Sequence, residues 1–372
     1  MALFIEKHRN DFVSGGRSRG NRIGWAMLSA ALVGTLAFTL VPAPYVIEEP
    51  GPVFNTLGSV KIGQKSVPLI DIPGQKTFPT SGSLDMLTVN VFGSREDPPS
   101  WFDVAQAYLD SSKAVLPVDE IYPPGVTEKQ SNEQADVDMQ NSQQDAIAAA
   151  LSRLGYVLPT SLTVGAVDAS SPSDGVLIKG DKILTVGGQI ASTVPGLRAI
   201  VKSNGTATPL SIVVNRGGVQ KTVAVKPVLS EDDEPEPIVG IFPAIVYTYP
   251  FKVKIQLDDV GGPSAGQLFA LGIIDKLTPG FLTGGAKVAG TGTIDGAGQI
   301  GPIGGIRQKL YGARSAGATW FLAPLANCDE VTGHIPDGIR VLAVRTLDDS
   351  LKALKAIKAG SGTGSLLACP SE

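Results

Sequence analysis

The sequence predicts an α+β protein with an N-terminal membrane-spanning helix, a β-rich module in mid-chain and a C-terminal α/β domain. Three observations predict it. No charged residue occurs from Ile23 to Ile47. Residues 160–228 hold short apolar runs separated by glycine pairs, and residues 251–277 read as strand, glycine-rich turn and apolar helix. The 372 residues leave room for two or three globular units, because single cores stop growing well before that length.

The uncharged run is long enough to cross a bilayer as a helix, and residues 23–43 are assigned to the span. Lys7, Arg9, Arg17, Arg19 and Arg22 precede it, whereas Glu48 and Glu49 follow. That bias predicts a single-pass protein of the cell membrane, with residues 1–22 in the cytoplasm and the remainder extracytoplasmic. Val41-Pro42-Ala43 also has the small residues of a signal-peptidase site, but Pro44 just after it opposes cleavage. The whole chain balances 31 basic against 35 acidic residues, a net charge of -4, which argues against a nucleic-acid partner. Hydrophobic residues at 43% and charged residues at 18% fit a folded chain with one lipid-facing stretch.

Residues 44–156 mix turns with short strands such as Leu87–Phe92, then a helix expected from Gln134 to Leu154 and stopped by Gly155. Residues 157–229 form the β-rich module, with strands at 162–164, 182–186 and 209–214. Gly187-Gly188 and Gly217-Gly218 are its hairpin turns, and a short helix lies at 195–201. Glu231-Asp232-Asp233-Glu234 with Pro235 and Pro237 marks a solvated linker over 230–250. A domain over 251–359 and a flexible tail over 360–372 complete the chain. Cys328 and Cys369 both lie on the expected outer side, where a disulfide is permitted; two buried thiols are the alternative.

Gly262-Pro263-Ser264-Ala265-Gly266 precedes the apolar helix 268–277, so the Ser264 hydroxyl stands at a helix start. Unpaired backbone N–H groups there can stabilise a developing oxyanion. A serine needs a base to become a nucleophile, and the chain has only two histidines, His8 before the span and His334. Lysine is the other candidate. In the helix beginning near Gly305, Ile306, Leu310 and Ala313 make one stripe and Lys309 lies beside it, while Arg307, Gln308 and Tyr311 project elsewhere. A lysine serving as base must lose its proton from a reference pKa of about 10.4, a shift of roughly three units or about 4 kcal/mol, which burial can supply. A lysine stem lying along apolar surface is the ordinary alternative.

Three resemblances gather these features. Gly175-Val176-Leu177, Gly180–Gly188 and Arg216-Gly217-Gly218 resemble bacterial protease-associated PDZ domains, which implies binding of peptide ligands by strand addition. Gly262–Gly266, Thr291-Gly292-Thr293-Ile294 and Gly301–Ile306 with Gln308-Lys309-Leu310 closely resemble the Lon protease domain, in order and nearly in spacing. That resemblance implies a serine endopeptidase acting on polypeptides with Ser264 as nucleophile and Lys309 as base. It gives Thr291 the supporting role of positioning the lysine amine. Anchor, PDZ module and Lon-like domain together resemble the bacterial membrane-bound, PDZ-containing Lon-like proteases. Lon-like domains often form rings, so a homo-oligomer is a further implication, and residues 80–92 and 134–154 are expected to supply the first elements of the protease domain.

The sequence departs from the Lon pattern at Gly261, where an acidic residue commonly stands, and at Thr293. No Gly-x-x-x-x-Gly-Lys-Ser/Thr occurs, so ATP independence is expected, with no cofactor and no metal. The same Gly-x-Ser-x-Gly also fits the nucleophile elbow of an esterase-like hydrolase using Asp329 and His334. A non-catalytic membrane-tethered peptide-binding adaptor is the third reading.

Overall fold

The computed structural model describes residues 19–125, 127–230, 234–258 and 260–370. Lys7, His8, Arg9 and Arg17, and Glu231, Asp232 and Asp233 of the expected linker, lie outside the described residues. Helix α1 (Arg19–Leu40) is the uncharged run, and every described side chain from Ile23 to Leu40 is exposed. Strands β1 (Tyr45–Asn55) and β2 (Ser83–Phe92) follow. Helix α2 (Trp101–Tyr108) starts at a reciprocal capping box between Ser100 and Asp103. Strand β3 (Ala114–Pro117) leads to helix α3 (Glu128–Arg153), which begins ahead of the expected Gln134. Thr127 and Gln130 explain the early start: the Gln130 N–H donates to Thr127 Oγ1 at 3.2 Å, and the Thr127 N–H donates back to Gln130 Oε1 at 3.0 Å.

The middle of the chain forms β4 (Thr160–Val167), β5 (Lys182–Val186), α4 (Val194–Asn204), β6 (Leu210–Arg216), β7 (Val219–Val225) and β8 (Ile241–Tyr247). The C-terminal part contributes α5 (Gly266–Leu277), β9 (Lys287–Gly290), β10 (Thr293–Ile294), β11 (Ile300–Gly301) and α6 (Ile306–Ser315). It closes with β12 (Trp320–Pro324), β13 (Arg340–Val344) and α7 (Leu347–Ala359).

These elements make two compact units, Met1–Pro50 with Val89–Ser131 and Gly51–Thr88 with Asn132–Glu372. In the first, β1 pairs antiparallel with β3, Tyr45 opposite Pro117, and Lys113 bridges Glu49 at 2.8 Å. In the second, strands run in the order β13-β12-β9 and then the Ser83–Thr88 part of β2, and the pairs β13–β12, β12–β9 and β9–β2 are parallel. Strands β9, β12 and β13 are buried on both faces after their first residue, as parallel strands covered by helices must be. Val288, Leu322 and Leu342 pack with residues of α5 and α7, while Ala289, Phe321, Ala323 and Val341 pack with α6. The residues of α3 from Met139 to Leu151 join the first of these cores.

The second sheet of this unit runs β7-β6-β5-β4-β8 around Leu162, Val164, Ile183, Leu197, Val201 and Ile212. Asp181 is buried there, and its carboxylate accepts from Arg216 Nε at 2.7 Å and Nη2 at 2.6 Å and from the Ile178 N–H at 3.1 Å. Those bonds, the Arg216 guanidinium first among them, hold its pKa below the ordinary carboxylate value. Gly180-Asp181 is therefore more than a turn: it locks β5 to β6 by a charge-assisted fork.

Two expected boundaries are corrected. Residues 230–250 are not wholly a linker, because Ile241–Tyr247 pairs with β4 from Ile241 opposite Val167 to Tyr247 opposite Thr160. Only the start of that stretch is charged, and the rest has the β-branched and aromatic residues a sheet accepts. The described part of the expected 360–372 tail, residues 360–370, is not free. Cys369 is disulfide-bonded to Cys328 with the Cα atoms 5.0 Å apart, and the Ala343 N–H donates to the Leu367 carbonyl at 2.9 Å.

Candidate active site

Ser264 sits in the turn before α5, and the turn is held from three sides. Gly262, in the left-handed region at φ 85°, donates its N–H to the Ala135 carbonyl at 2.7 Å. Ser142 Oγ donates to the Pro263 carbonyl at 2.9 Å. The Ser264 carbonyl accepts from Thr291 Oγ1 at 3.0 Å and from the Gly292 N–H at 2.9 Å. The N–H groups that follow are also committed, Gln267 to the Gly292 carbonyl at 3.1 Å and Leu268 to the Ala265 carbonyl at 3.0 Å.

Close packing explains the residue types around the serine. A Cβ on Gly266 would lie 2.8 Å from Ile294 Cγ2 and 2.8 Å from Ser142 Oγ. One on Gly261 would lie 2.7 Å from Ala135 Cβ. Here the chain has no space for the acidic side chain that the Lon pattern commonly carries at that position, because α3 occupies it.

Lys309 lies on α6, whose buried residues pack on the other side of the parallel strands from those of α5. Its side chain is 4% exposed. Ile306, Leu310 and Ala313 are fully buried beside it. Gln308 is buried as well, at 2%, so the expectation that it projects away is corrected: α6 is enclosed over a wider arc than its apolar stripe indicates. The approach to α6 is fixed by Asn327, which accepts from the Ile303 N–H at 3.0 Å and donates to the Ile303 carbonyl at 2.8 Å. The left-handed Gly305 at φ 66° then starts the helix, its carbonyl accepting the Lys309 N–H at 3.1 Å.

Thus Ser264 and Thr291 are joined directly, and Thr291, 1% exposed, gives its hydroxyl proton to the serine's own carbonyl. Sequence reasoning missed Ser142 and Asn327. Neither lies in a motif; each is a polar residue buried by tertiary packing, which no local pattern announces. His334 has its Nδ1 3.0 Å from the Thr332 carbonyl, a contact within its own loop, so the esterase-like arrangement finds no Asp329 on that nitrogen. Among the described residues no group of three or more His, Cys, Asp or Glu side chains is arranged to hold a metal ion.

A second titratable cluster adjoins the serine turn. Asp145 on α3 is pushed up to about 6, first by burial and then by Asp295, against a hydrogen bond from Tyr247. Tyr247 is pushed up to about 12 by burial and by the two carboxyls, and Tyr249 is raised by burial and by Tyr247. The Tyr247 and Tyr249 rings stack at 6.1 Å, and Tyr249 donates to the Gln144 carbonyl at 2.8 Å. Because the folded pKa of Asp145 exceeds the unfolded one, its contribution to stability is complete below about pH 4 and is lost as pH rises through about 6. Asp145→Asn is expected to raise neutral-pH stability by about 1 kcal/mol, after solvent screening of a half-exposed carboxyl, and not at pH 4. Denaturant midpoints at pH 4 and 7.5 measure it.

Comparison with known proteins bears on the same segment. Residues 259–356 match the Lon protease (S16) C-terminal proteolytic domain. A Lon protease of Lachnoclostridium phytofermentans is 37% identical over 94 residues, 24% of this chain and 11% of that protein. Lon protease 2 of Herpetosiphon aurantiacus is 41% identical over 93 residues, again 24% and 11%. Lon protease 1 of Bacillus subtilis is 32% identical over 119 residues, 31% of this chain and 15% of that protein. The chain therefore spans a small fraction of the length of the curated relatives it matches. Among solved structures, the PDZ domain of an SdrC-like protein from Listeria monocytogenes aligns at 21% identity with a TM-score of 0.20, covering 22% of this chain and 83% of that one.

Proposed function

We propose, from the match of residues 259–356 to the Lon protease (S16) C-terminal proteolytic domain, that the protein is a membrane-anchored, ATP-independent serine endopeptidase cleaving polypeptides outside the cytoplasm. The carrying observation is that the matched segment contains both a serine held at a helix start and a lysine amine buried beside an apolar stripe. Ser264 Oγ attacks the scissile carbonyl while the Lys309 amine takes its proton. The oxyanion that forms faces the N–H groups of Ser264 and Ala265, since those next in α5 are already engaged. Lys309 then gives the proton to the leaving amine, and water releases the acyl group by the reverse sequence. Thr291 holds the serine carbonyl, and its oxygen lone pairs remain to accept from the lysine amine.

The experiment is cleavage of an unstructured protein by the full chain in detergent without nucleotide, alongside Ser264→Ala, Lys309→Ala and His334→Ala. Activity kept only in wild type and His334→Ala supports the proposal. Equal activity in all four sinks it, and selective loss in His334→Ala turns the reading to the esterase-like class.

The peptide-binding part of the proposal rests on a groove between α4 and β8. Leu197, Arg198 and Val201 line one wall, and Val239, Gly240 and Ile241 line the other. The turn at 239–240 is pinned, Val239 O accepting from Ser173 Oγ at 2.6 Å and Gly240 O from Ser171 Oγ at 3.0 Å. A peptide added to the outer edge of β8 would place its terminal carboxylate at this turn and its last side chain against Leu197 and Val201. Peptides ending in a free carboxylate and an apolar residue are expected to bind at least about tenfold more tightly than their amides. Calorimetry with both forms checks this.

The anchor is the third part. Ile23–Leu40 is apolar enough and long enough to cross a membrane, about 27 Å at 1.5 Å per residue. Lys7, Arg9, Arg17, Arg19 and Arg22 before it, with no Lys or Arg after it until Lys61, support placing the catalytic region outside.

A further inference from the structure

Helix α2 has two apolar arcs, and the protein covers one of them. Val104 and Ala107 are buried. On the helical wheel, at 100° per residue, Tyr108, Trp101, Ala105, Leu109 and Phe102 occupy the adjoining arc of roughly 120°, while Asp103 and Gln106 project away from it. That arc stays open: Trp101 is 37% exposed, Phe102 50%, Tyr108 71% and Leu109 89%. An eight-residue helix that leaves two aromatic rings, a tyrosine and a leucine in water on one face is not explained by folding of its own unit.

The position of the face says what covers it. Phe102 meets Phe38, near the end of α1, with ring centroids 6.3 Å apart and edge to face. Trp101 meets Tyr45, just past that end, at 5.8 Å. The Pro42–Ser100 bridge and the bond from the Ala43 N–H to the Pro99 carbonyl at 2.8 Å tie the start of α2 to the exit of α1. Four aromatic rings therefore gather at the level where the apolar helix stops, which is where amphipathic rings favour the boundary between acyl chains and headgroups. The exposed arc of α2 is uncharged and continuous with the side of α1.

We propose that α2 is an interfacial helix, lying in the plane of the bilayer surface with Trp101, Phe102, Tyr108 and Leu109 in the headgroup and upper acyl region. It seats the unit formed by Met1–Pro50 and Val89–Ser131 against the lipid. This rests on the reading of α1 as the membrane anchor. The occupant of the apolar face is lipid, because the face continues onto a helix whose described side chains from Ile23 to Leu40 are exposed, uncharged and mostly apolar.

The chain has three tryptophans, Trp25 near the start of the span, Trp101 on α2 and Trp320 on β12. The full chain is reconstituted into vesicles as two variants. One keeps Trp101 alone (Trp25→Phe with Trp320→Phe), and the other keeps Trp25 alone (Trp101→Phe with Trp320→Phe). Lipids brominated near the headgroup or deep in the chains are used as quenchers. The expected result is loss of emission for both variants, with Trp101 quenched more by shallow than by deep bromines. Quenching of Trp25 without Trp101 overturns the interfacial helix and leaves the anchor standing. Acrylamide then separates an α2 open to water from one covered by a second copy of the chain. Loss of quenching in both variants overturns the anchor, and the proposal with it.

Discussion

Ser264→Ala and Lys309→Met are each expected to lower cleavage of an unfolded polypeptide by at least about a thousandfold, and the double substitution to cost little more than either one alone. Residues that act as one nucleophile–base unit are not additive, since removing one leaves the other with nothing to do. Methionine keeps most of the lysine stem's volume in its apolar surroundings, so the loss reports the amine and not a cavity. Single-turnover rates for the three variants check the expectation. An additive double substitution, or a Lys309→Met enzyme within tenfold of wild type, would show that the serine takes its base from elsewhere.

Gly266→Ala is expected to lower kcat by about a hundredfold although it touches no reacting atom. Its Cβ would fall 2.8 Å from both Ile294 Cγ2 and Ser142 Oγ, and Ser142 is the side chain that holds the Pro263 carbonyl. The new methyl must displace either the hairpin of β10 and β11 or the turn that carries Ser264, and displacement of a reacting group by about 1 Å costs on that order. Overpacking should also cost about 1–3 kcal/mol of stability. Gly364→Ala, where an added Cβ meets nothing within 4 Å, serves as the neutral comparison. Measuring kcat and the denaturation midpoint on the same preparations separates the two effects. A stable Gly266→Ala enzyme with full kcat would remove the idea that this contact positions the serine.

Much of the candidate site was legible because its parts are local. A glycine-rich turn before an apolar helix announces where a serine hydroxyl will stand, and a 3.6-residue period announces which lysine lies beside a buried stripe. The apolar helix was legible for the same reason, since a run without charge needs no partner elsewhere in the chain to be recognised. Ser142 and Asn327 were not legible. The first lies 121 positions from its Pro263 partner and the second 24 from Ile303, and sequence spacing says nothing about which buried polar groups will meet. The strand Ile241–Tyr247 was hidden by its neighbours, because an acidic, proline-bearing stretch just before it reads as linker.

The sequence by itself determined the order of parts: an apolar helix, a β-rich module with glycine-pair turns, and a strand–turn–helix carrying Ser264 followed by a helix carrying Lys309. These are properties of short windows, governed by residue type and period. Only the tertiary structure decided how the parts are held. It assigned Thr291 to the serine carbonyl, closed position 261 to any side chain by packing α3 against it, bound the tail to Cys328, and put Asp145, Asp295 and Tyr247 in one cluster. Each of those outcomes depends on groups far apart in the chain reaching contact distance, where a few tenths of an ångström decide between a hydrogen bond, a close contact and a clash.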